Sequence, residues 1–163
     1  MDSVICRSTD KRCVQMTILM QIFLGSILLG ICSFIHIALM VLGIKVLRRV
    51  SNPEAPEPGR FRALNLLLIG FSVVLVAHTV QVWIWALSFV WMETLPNLHD
   101  AIYFSLVTYT TVGYGDVTLD VGHRIFGAMA SITGLLNFGL STAFLVGLFE
   151  RVLSTRLPPP PPK

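Results

Sequence analysis

Six consecutive residues, Thr111-Val112-Gly113-Tyr114-Gly115-Asp116, combine residue types and spacing that could coordinate a cation. Two glycines alternate with larger residues, and glycine reaches positive φ at little steric cost because it has no Cβ. Alternating backbone angles of this kind allow successive carbonyl oxygens to point toward one axis, and the Thr111 hydroxyl can add a further oxygen. A chance turn is the alternative, since Gly-Tyr-Gly alone arises easily.

The composition places this motif in a membrane protein. The chain has 163 residues, of which 54% are hydrophobic and 13% charged, and this charged share is about half that of a soluble domain. Charged residues are missing from stretches 14–44, 63–92 and 125–149. Each is longer than the roughly 20 apolar residues needed to cross a bilayer. The first is too long for a signal peptide and lacks a small-residue cleavage site, so we expect three spanning helices.

A shorter segment, residues 95–109, lies between the second and third stretches. Pro96 and Asn97 interrupt the preceding helix, and Asn97 or Asp100 can cap a new one, where an acidic side chain suits the helix dipole. Because the segment is too short to span, we predict a re-entrant helix that is surrounded by protein. Its carbonyl end leads directly into residues 111–116 and would favour a cation there.

Residues 62–151 resemble the pore module of tetrameric potassium channels, which consists of an outer helix, a pore helix, a selectivity filter and an inner helix. The resemblance rests on residues 108–116 and on the inner-helix run 134–143. It suggests a small prokaryotic-type channel with an extra N-terminal transmembrane helix. It implies a potassium filter formed by Thr111, Val112, Gly113, Tyr114, Gly115 and Asp116, in which potassium is held by Thr111, Val112, Gly113 and Tyr114.

The resemblance also assigns roles around the filter. Some members of the family carry a glutamate behind the filter, where this chain has Val107. Tyr103 lies where an aromatic donor to Asp116 is expected, so its hydroxyl is predicted to bond that carboxylate. Thr108 completes the predicted filter support. Tyr114 is expected to brace the filter from behind, against its pore helix.

In the inner helix, the resemblance places a hinge at Gly134, and Gly139 is a second glycine in the middle of the same helix. Glycine weakens a helix by about 1 kcal/mol relative to alanine, so bending would concentrate there. Four apolar residues nearer the end of this helix are candidates for an inner gate that stops ions sterically or by dewetting: Phe144, Leu145, Leu148 and Phe149. The alternative is that these residues face lipid and that the filter itself is the gate.

Charge predicts the orientation in the cell membrane. The connector after the first stretch is short and basic, with Lys45, Arg48, Arg49, Arg60 and Arg62, and such loops are cytoplasmic. The C-terminus would share that side, and the filter mouth and N-terminus would lie outside, unless the first stretch lies against the bundle without crossing. The resulting division is an N-terminal tail (1–13), an accessory transmembrane helix (14–47), a cytoplasmic linker (48–61), the pore module (62–151) and a proline-rich tail (152–163).

Two groups of side chains invite functional interpretations. Trp83, Trp85 and Trp91 lie toward the outer end of the second stretch and are predicted to be anchors at the membrane interface. His36 and His78 lie inside apolar stretches, where ionisable residues are functional candidates. The simpler interpretation is a neutral histidine that is hydrogen-bonded within the bundle.

These features predict an all-α membrane protein with three transmembrane helices, a re-entrant pore helix and a selectivity filter, assembled as a four-fold homotetramer in membrane lipid. The predicted function is passive, selective conduction of potassium ions, with no enzyme activity, no cofactor and no nucleic-acid partner. No stretch carries the regular Arg or Lys repeat of a usual voltage sensor, and the tail 152–163 is too short for a ligand-binding domain. A non-conducting regulatory subunit and a less selective cation channel remain the alternatives.

Overall fold

The computed structural model describes residues 17–50 and 60–154, which form four α-helices and one short 3₁₀ turn. The helices are α1 (Ile18–Val50), α2 (Arg60–Trp91), α3 (Leu98–Tyr109) and α4 (Arg124–Ser154), with the 3₁₀ turn at Val121–His123. By length and composition, the first, second and last of these helices can each cross a membrane. The prediction of an all-α membrane protein with three spanning helices and one shorter helix is confirmed.

The helix ends do not coincide with the predicted boundaries, and α1 begins at Ile18 rather than at residue 14. α1 continues through Val50 into the predicted linker 48–61, α2 begins at Arg60, and α4 ends at Ser154. Arg48 and Arg49 lie in the last turn of α1, where positive charge stabilises the carbonyl end of a helix. The helix therefore continues past the end of its apolar stretch at residue 44. The N-terminal tail, most of the linker and the proline-rich run lie outside the described residues.

α1 runs parallel to α4. Near the start of α1, the Gln21 side chain contacts the backbone of Ile125 at the start of α4. Further along, His36 of α1 contacts Ser141 of α4. The first helix therefore lies alongside α4 over much of its length, as the spanning interpretation of the first apolar stretch requires.

α2 runs antiparallel to both of these helices. Gly70, early in α2, faces Leu148 late in α4, whereas Trp85, late in α2, packs on Phe126 early in α4. The starts of α1 and α4 therefore share one end of the bundle, and the end of α1, the start of α2 and the end of α4 share the other.

The main core is aromatic and lies at the end where α4 starts. Trp85 and Phe89 of α2 pack on Phe126 of α4, with ring centroids 5.3 and 5.8 Å apart. Trp85 is completely buried, so the prediction that it is an interface anchor is wrong. Trp83 and Trp91 are 44% and 85% exposed and keep that interpretation. The reason for the difference is that α4 covers one face of α2, which hydropathy alone does not reveal.

Gln21 joins the accessory helix to the start of α4. Its Oε1 accepts the backbone N–H groups of Ile125 at 3.1 Å and Phe126 at 3.3 Å. These are N–H groups that the start of a helix leaves without partners inside the helix. Further along α1, Gly25 packs against the Met129 side chain. The small glycine lets the two helices approach closely, so α1 is an integral part of the bundle.

Candidate functional site

Residues 111–116 form an irregular segment after α3. The φ angle of their backbone alternates between positive and negative values. The φ angle is positive at Thr111 (62°), Gly113 (59°) and Gly115 (78°), with negative values between them. Glycine adopts this conformation readily, but a β-branched residue such as Thr111 does so under strain. The alternation at the glycines is what the motif predicts for a row of carbonyl oxygens.

The start of this segment is hydrogen-bonded to the last turn of α3. The Val107 carbonyl accepts the N–H of Val112 at 3.0 Å, and the Thr108 carbonyl accepts the N–H of Thr111 at 3.0 Å. The Ser131 hydroxyl of α4 also donates to the Thr108 carbonyl, at 2.8 Å. Carbonyls that a helix end leaves unpaired therefore hold the segment. Val107 and Thr108, two of the predicted filter supports, therefore contact residues 111–116 through their backbone carbonyls rather than their side chains.

Tyr103 and Asp116 form the side-chain bond expected at the outer mouth. The Tyr103 hydroxyl donates to Asp116 Oδ2 at 2.6 Å, and the Val117 N–H donates to Asp116 Oδ1 at 3.0 Å. The Tyr103 bond, with help from the backbone, holds the pKa of the Asp116 carboxyl below its usual range. The same bond raises the pKa of the Tyr103 phenol. Asp116 therefore carries a negative charge at neutral pH.

The larger side chains of the segment are not packed within the chain. Val112 is 52% exposed and Tyr114 is 72% exposed. The prediction that Tyr114 braces the segment against the pore helix of the same chain therefore needs correction. A cavity of about 510 Å³ lies behind the segment, between α3 and α4, with Val107 and Ser131 in its lining. The segment is held by backbone hydrogen bonds rather than by a packed side-chain core.

Gly134, a predicted hinge residue, lies against the end of α3. A Cβ at this position would overlap the carbonyl oxygen of Tyr109, whereas a Cβ at Gly139 would meet nothing within 4 Å. α4 is continuous through both positions. Gly134 therefore has a packing role that its sequence position does not reveal, and Gly139 is the glycine that is free to act as a hinge.

The four predicted gate residues do not share one free face of α4. Phe144 and Leu145 pack on a small cluster formed by α1 and α2. Leu148 is 9% exposed, and Phe149 is 56% exposed. The prediction that all four converge on a gate needs correction, because α1 and α2 cover the faces that carry the first three. Phe149 is the member of the set whose side chain remains largely exposed.

Both intramembrane histidines are hydrogen-bonded, and sequence reasoning missed their partners. His36 contacts Gln81 and Ser141, and His78 contacts Ser141 and Tyr109. The signal available in the sequence is polar residues inside apolar stretches. It does not indicate which residues meet, because they come from four different helices.

Comparisons with known proteins point to one class. A family model described as "Ion channel" matches residues 70–151. Potassium voltage-gated channel subfamily A member 6 from Homo sapiens is 40% identical over 56 residues, which are 34% of this chain and 11% of that protein. Subfamily A member 2 from Xenopus laevis is 29% identical over 109 residues, which are 66% of this chain and 20% of that protein. The chain thus matches between 11% and 20% of these relatives' length. No solved structure gives a significant match.

Proposed function

The chain belongs to the ion channel family, whose model covers half of it, and on that premise we propose that it forms a potassium-selective pore that conducts potassium passively. The observation that carries this proposal is the backbone of residues 111–116. It adopts positive φ at every second residue, at Thr111, Gly113 and Gly115. This geometry supports a row of oxygens that replaces the hydration shell of an ion.

In the proposed pore, potassium is the permeant ion and the chain supplies its ligands. We assign the sites to the backbone carbonyls of Thr111, Val112, Gly113 and Tyr114, with the Thr111 hydroxyl at the inner end. The end of α3 directs its partial negative charge toward this segment. Asp116 adds a full negative charge at the outer mouth, which raises the local concentration of cations.

The proposed assembly is a closed four-fold homotetramer around the filter axis. A single chain supplies one strand of oxygens, and an ion that has lost its water must be surrounded. The exposure of Tyr114 and of Leu135 (61%) on α4 supports burial against neighbouring subunits. Mass measurement in mild detergent should give four copies, and a complex of two or three copies would contradict this assembly.

The orientation follows from where the positive charges lie in the bundle. Arg48 and Arg49 end α1, and Arg151 lies in the last turn of α4 at the same end. Basic residues favour the cytoplasmic side. We therefore place this end in the cytoplasm and the filter mouth outside, together with the start of α1.

The relatives' names describe channels, which favours transport over catalysis. They also describe voltage gating, but the match covers too little of those proteins to carry that property to this chain. The described helices do not carry the basic repeat of a usual voltage sensor. A prokaryotic-type channel without that sensor remains our proposal, based on the pore-module resemblance.

The test is ion flux through the purified full chain in liposomes. We expect fast flux in a potassium gradient and very slow flux in a matched sodium gradient. Comparable rates for both ions would indicate the less selective cation channel. Absence of flux for either ion, with the tetramer intact, would indicate the non-conducting subunit.

A further inference from the structure

Five side chains form a closed ring of hydrogen bonds that joins all four helices. The ring starts at Tyr109, the last residue of α3, whose hydroxyl donates to Gln81 Oε1 of α2 at 2.8 Å. Gln81 Nε2 lies 2.6 Å from His36 Nδ1 of α1. His36 Nε2 lies 3.0 Å from the Ser141 hydroxyl of α4, which lies 2.9 Å from His78 Nε2 of α2. His78 Nδ1 lies 2.8 Å from the Tyr109 hydroxyl and closes the ring.

The ring lies in the interior of the bundle. His36 and Gln81 are completely buried, Tyr109 and Ser141 are 1% and 3% exposed, and His78 is partly buried. Asn137 of α4 adds a sixth contact, because its Nδ2 donates to Gln81 Oε1 at 2.5 Å. Buried polar groups are costly unless they are paired, so a complete ring is far more favourable than an opened one.

With both histidines neutral, the hydrogens of this ring can be placed in two consistent arrangements. When Gln81 Nε2 donates, His36 must carry its hydrogen on Nε2, Ser141 donates to His78, and His78 carries its hydrogen on Nδ1. When the amides of Gln81 and Asn137 are turned over, every bond in the ring reverses and each imidazole hydrogen moves to the other nitrogen. In both arrangements the two histidines are opposite tautomers.

A proton added to either histidine places a positive charge inside the bundle. A charged imidazole donates from both nitrogens, so at least one bond of the ring must reverse and the Ser141 hydroxyl oxygen must accept from both histidines. The titratable groups that face the ring are Cys32 and His36 of α1, His78 of α2 and Tyr109 of α3. Within the described residues, the contacts of the ring include no carboxylate that could balance the new charge.

We propose that this ring positions the end of the pore helix, and with it the filter, against the accessory helix, and that it does so only while His36 and His78 are neutral. The inference rests on the proposed function, because it assigns the filter to residues after Tyr109. Tyr109 lies two positions before the left-handed Thr111, and its carbonyl packs on Gly134. Displacement of Tyr109 would therefore reach both the filter and the inner helix.

The first test is nitrogen NMR of the full chain labelled in its histidines and reconstituted in lipid. Ring nitrogen shifts report which nitrogen carries hydrogen, and single His36→Gln and His78→Gln variants assign the signals. We expect both histidines to be neutral at pH 7.5, with opposite tautomers. Identical tautomers, or a charged imidazole at that pH, would overturn the ring. This measurement does not depend on conduction.

The second test compares potassium flux in Ser141→Ala and Ser141→Thr. The alanine variant removes two bonds of the ring and should lower flux about tenfold, and threonine, which keeps a hydroxyl, should restore most of it. Normal flux in the alanine variant, or equal loss in both, would contradict a positioning role.

The third test is the pH profile of flux between about pH 7.5 and 4, because a buried histidine takes up its proton at a lower pH than an exposed one. Wild-type flux should fall about tenfold on acidification, and the double variant His36→Gln/His78→Gln should not show this fall. His99→Gln, at a histidine with a 93% exposed side chain, should keep the wild-type response. Potassium flux that does not change with pH would refute this inference and leave the proposed function intact. A chain without flux would refute the proposed function. The NMR measurement alone would then show whether the hydrogen-bonded ring forms with neutral histidines.

Discussion

At the scale of single residues, the filter segment is defined by where it departs from ordinary backbone conformation. Gly113 and Gly115 lie in the left-handed region, which glycine enters without penalty, and Thr111 lies there despite its branched side chain. A β-branched residue in this region persists when its surroundings hold it. Here, the hydrogen bond from its N–H to the Thr108 carbonyl contributes to that hold.

Gly113→Ala should abolish selective conduction without preventing folding. A Cβ at this position meets nothing within 4 Å, so the penalty is the left-handed backbone itself, about 1–2 kcal/mol per subunit. The matched control is Gly30→Ala, another open position but inside the regular helix α1. Ratios of potassium to sodium flux should collapse in the first variant and remain normal in the second. A normal ratio in Gly113→Ala would remove the filter assignment.

Tyr103→Phe should make the outer mouth sensitive to acid at a higher pH. The Tyr103 bond lowers the pKa of Asp116, so it stabilises the folded state above the usual carboxyl pKa, and this contribution is lost as pH falls through the lowered value. Without the hydroxyl, the pKa of Asp116 should return toward its ordinary range. Carbon NMR of the Asp116 carboxyl against pH would measure this shift. An unchanged midpoint would show that the bond has no electrostatic effect.

At the scale of helices, the two glycines of α4 separate packing from bending. Gly134→Ala should destabilise the fold by about 1–3 kcal/mol, because its methyl group would push on the Tyr109 carbonyl. Gly139→Ala has open space and should stabilise α4 by up to about 1 kcal/mol. Unfolding in detergent measures both effects. If Gly139→Ala lowers open probability while it stabilises the fold, Gly139 is the hinge. Equal stability of the Gly134→Ala and Gly139→Ala variants would contradict the contact between Gly134 and the Tyr109 carbonyl.

The elements that could be predicted from sequence are those with a local signal. Charge-free stretches gave the three long helices, Pro96 and Asn97 indicated the break before α3, and the spacing of Gly113 and Gly115 predicted their backbone conformation. The faces of the helices could not be predicted, because α1, α2 and α4 are apolar all round and show no strong periodicity. Trp85 and the proposed gate residues were misplaced for this reason.

At the scale of the whole molecule, the accessory helix is held to the pore module at both ends and in the middle. Gln21 bonds the start of α4, His36 joins the ring near its centre, and Gly43 packs against Val73 of α2 toward the other end. α1 is therefore expected to move with the pore module rather than independently of it.

Gln21→Ala should weaken this attachment at the end of the bundle where α4 starts. The variant leaves the N–H groups of Ile125 and Phe126 without the Gln21 carbonyl, so we expect a loss of about 1–2 kcal/mol. Hydrogen exchange at those two amides should accelerate, and the unfolding midpoint should fall. Ser26→Ala, at an exposed polar position on the same helix, should change neither. Unchanged exchange at both amides in Gln21→Ala would show that the cap is not formed.

The parallel packing of α1 and α4 also has a consequence for biogenesis. The contacts of Gln21 and His36 with α4 span 104 and 105 residues of sequence, so α1 enters the membrane long before these partners are synthesised. Until α4 inserts, both side chains are polar groups in hydrocarbon without those bonds. Nascent chains that stop before α4 should therefore be recognised as unassembled and degraded. Insertion of α4 would then act as a checkpoint, because α4 supplies the hydrogen-bond partners of the polar side chains in α1.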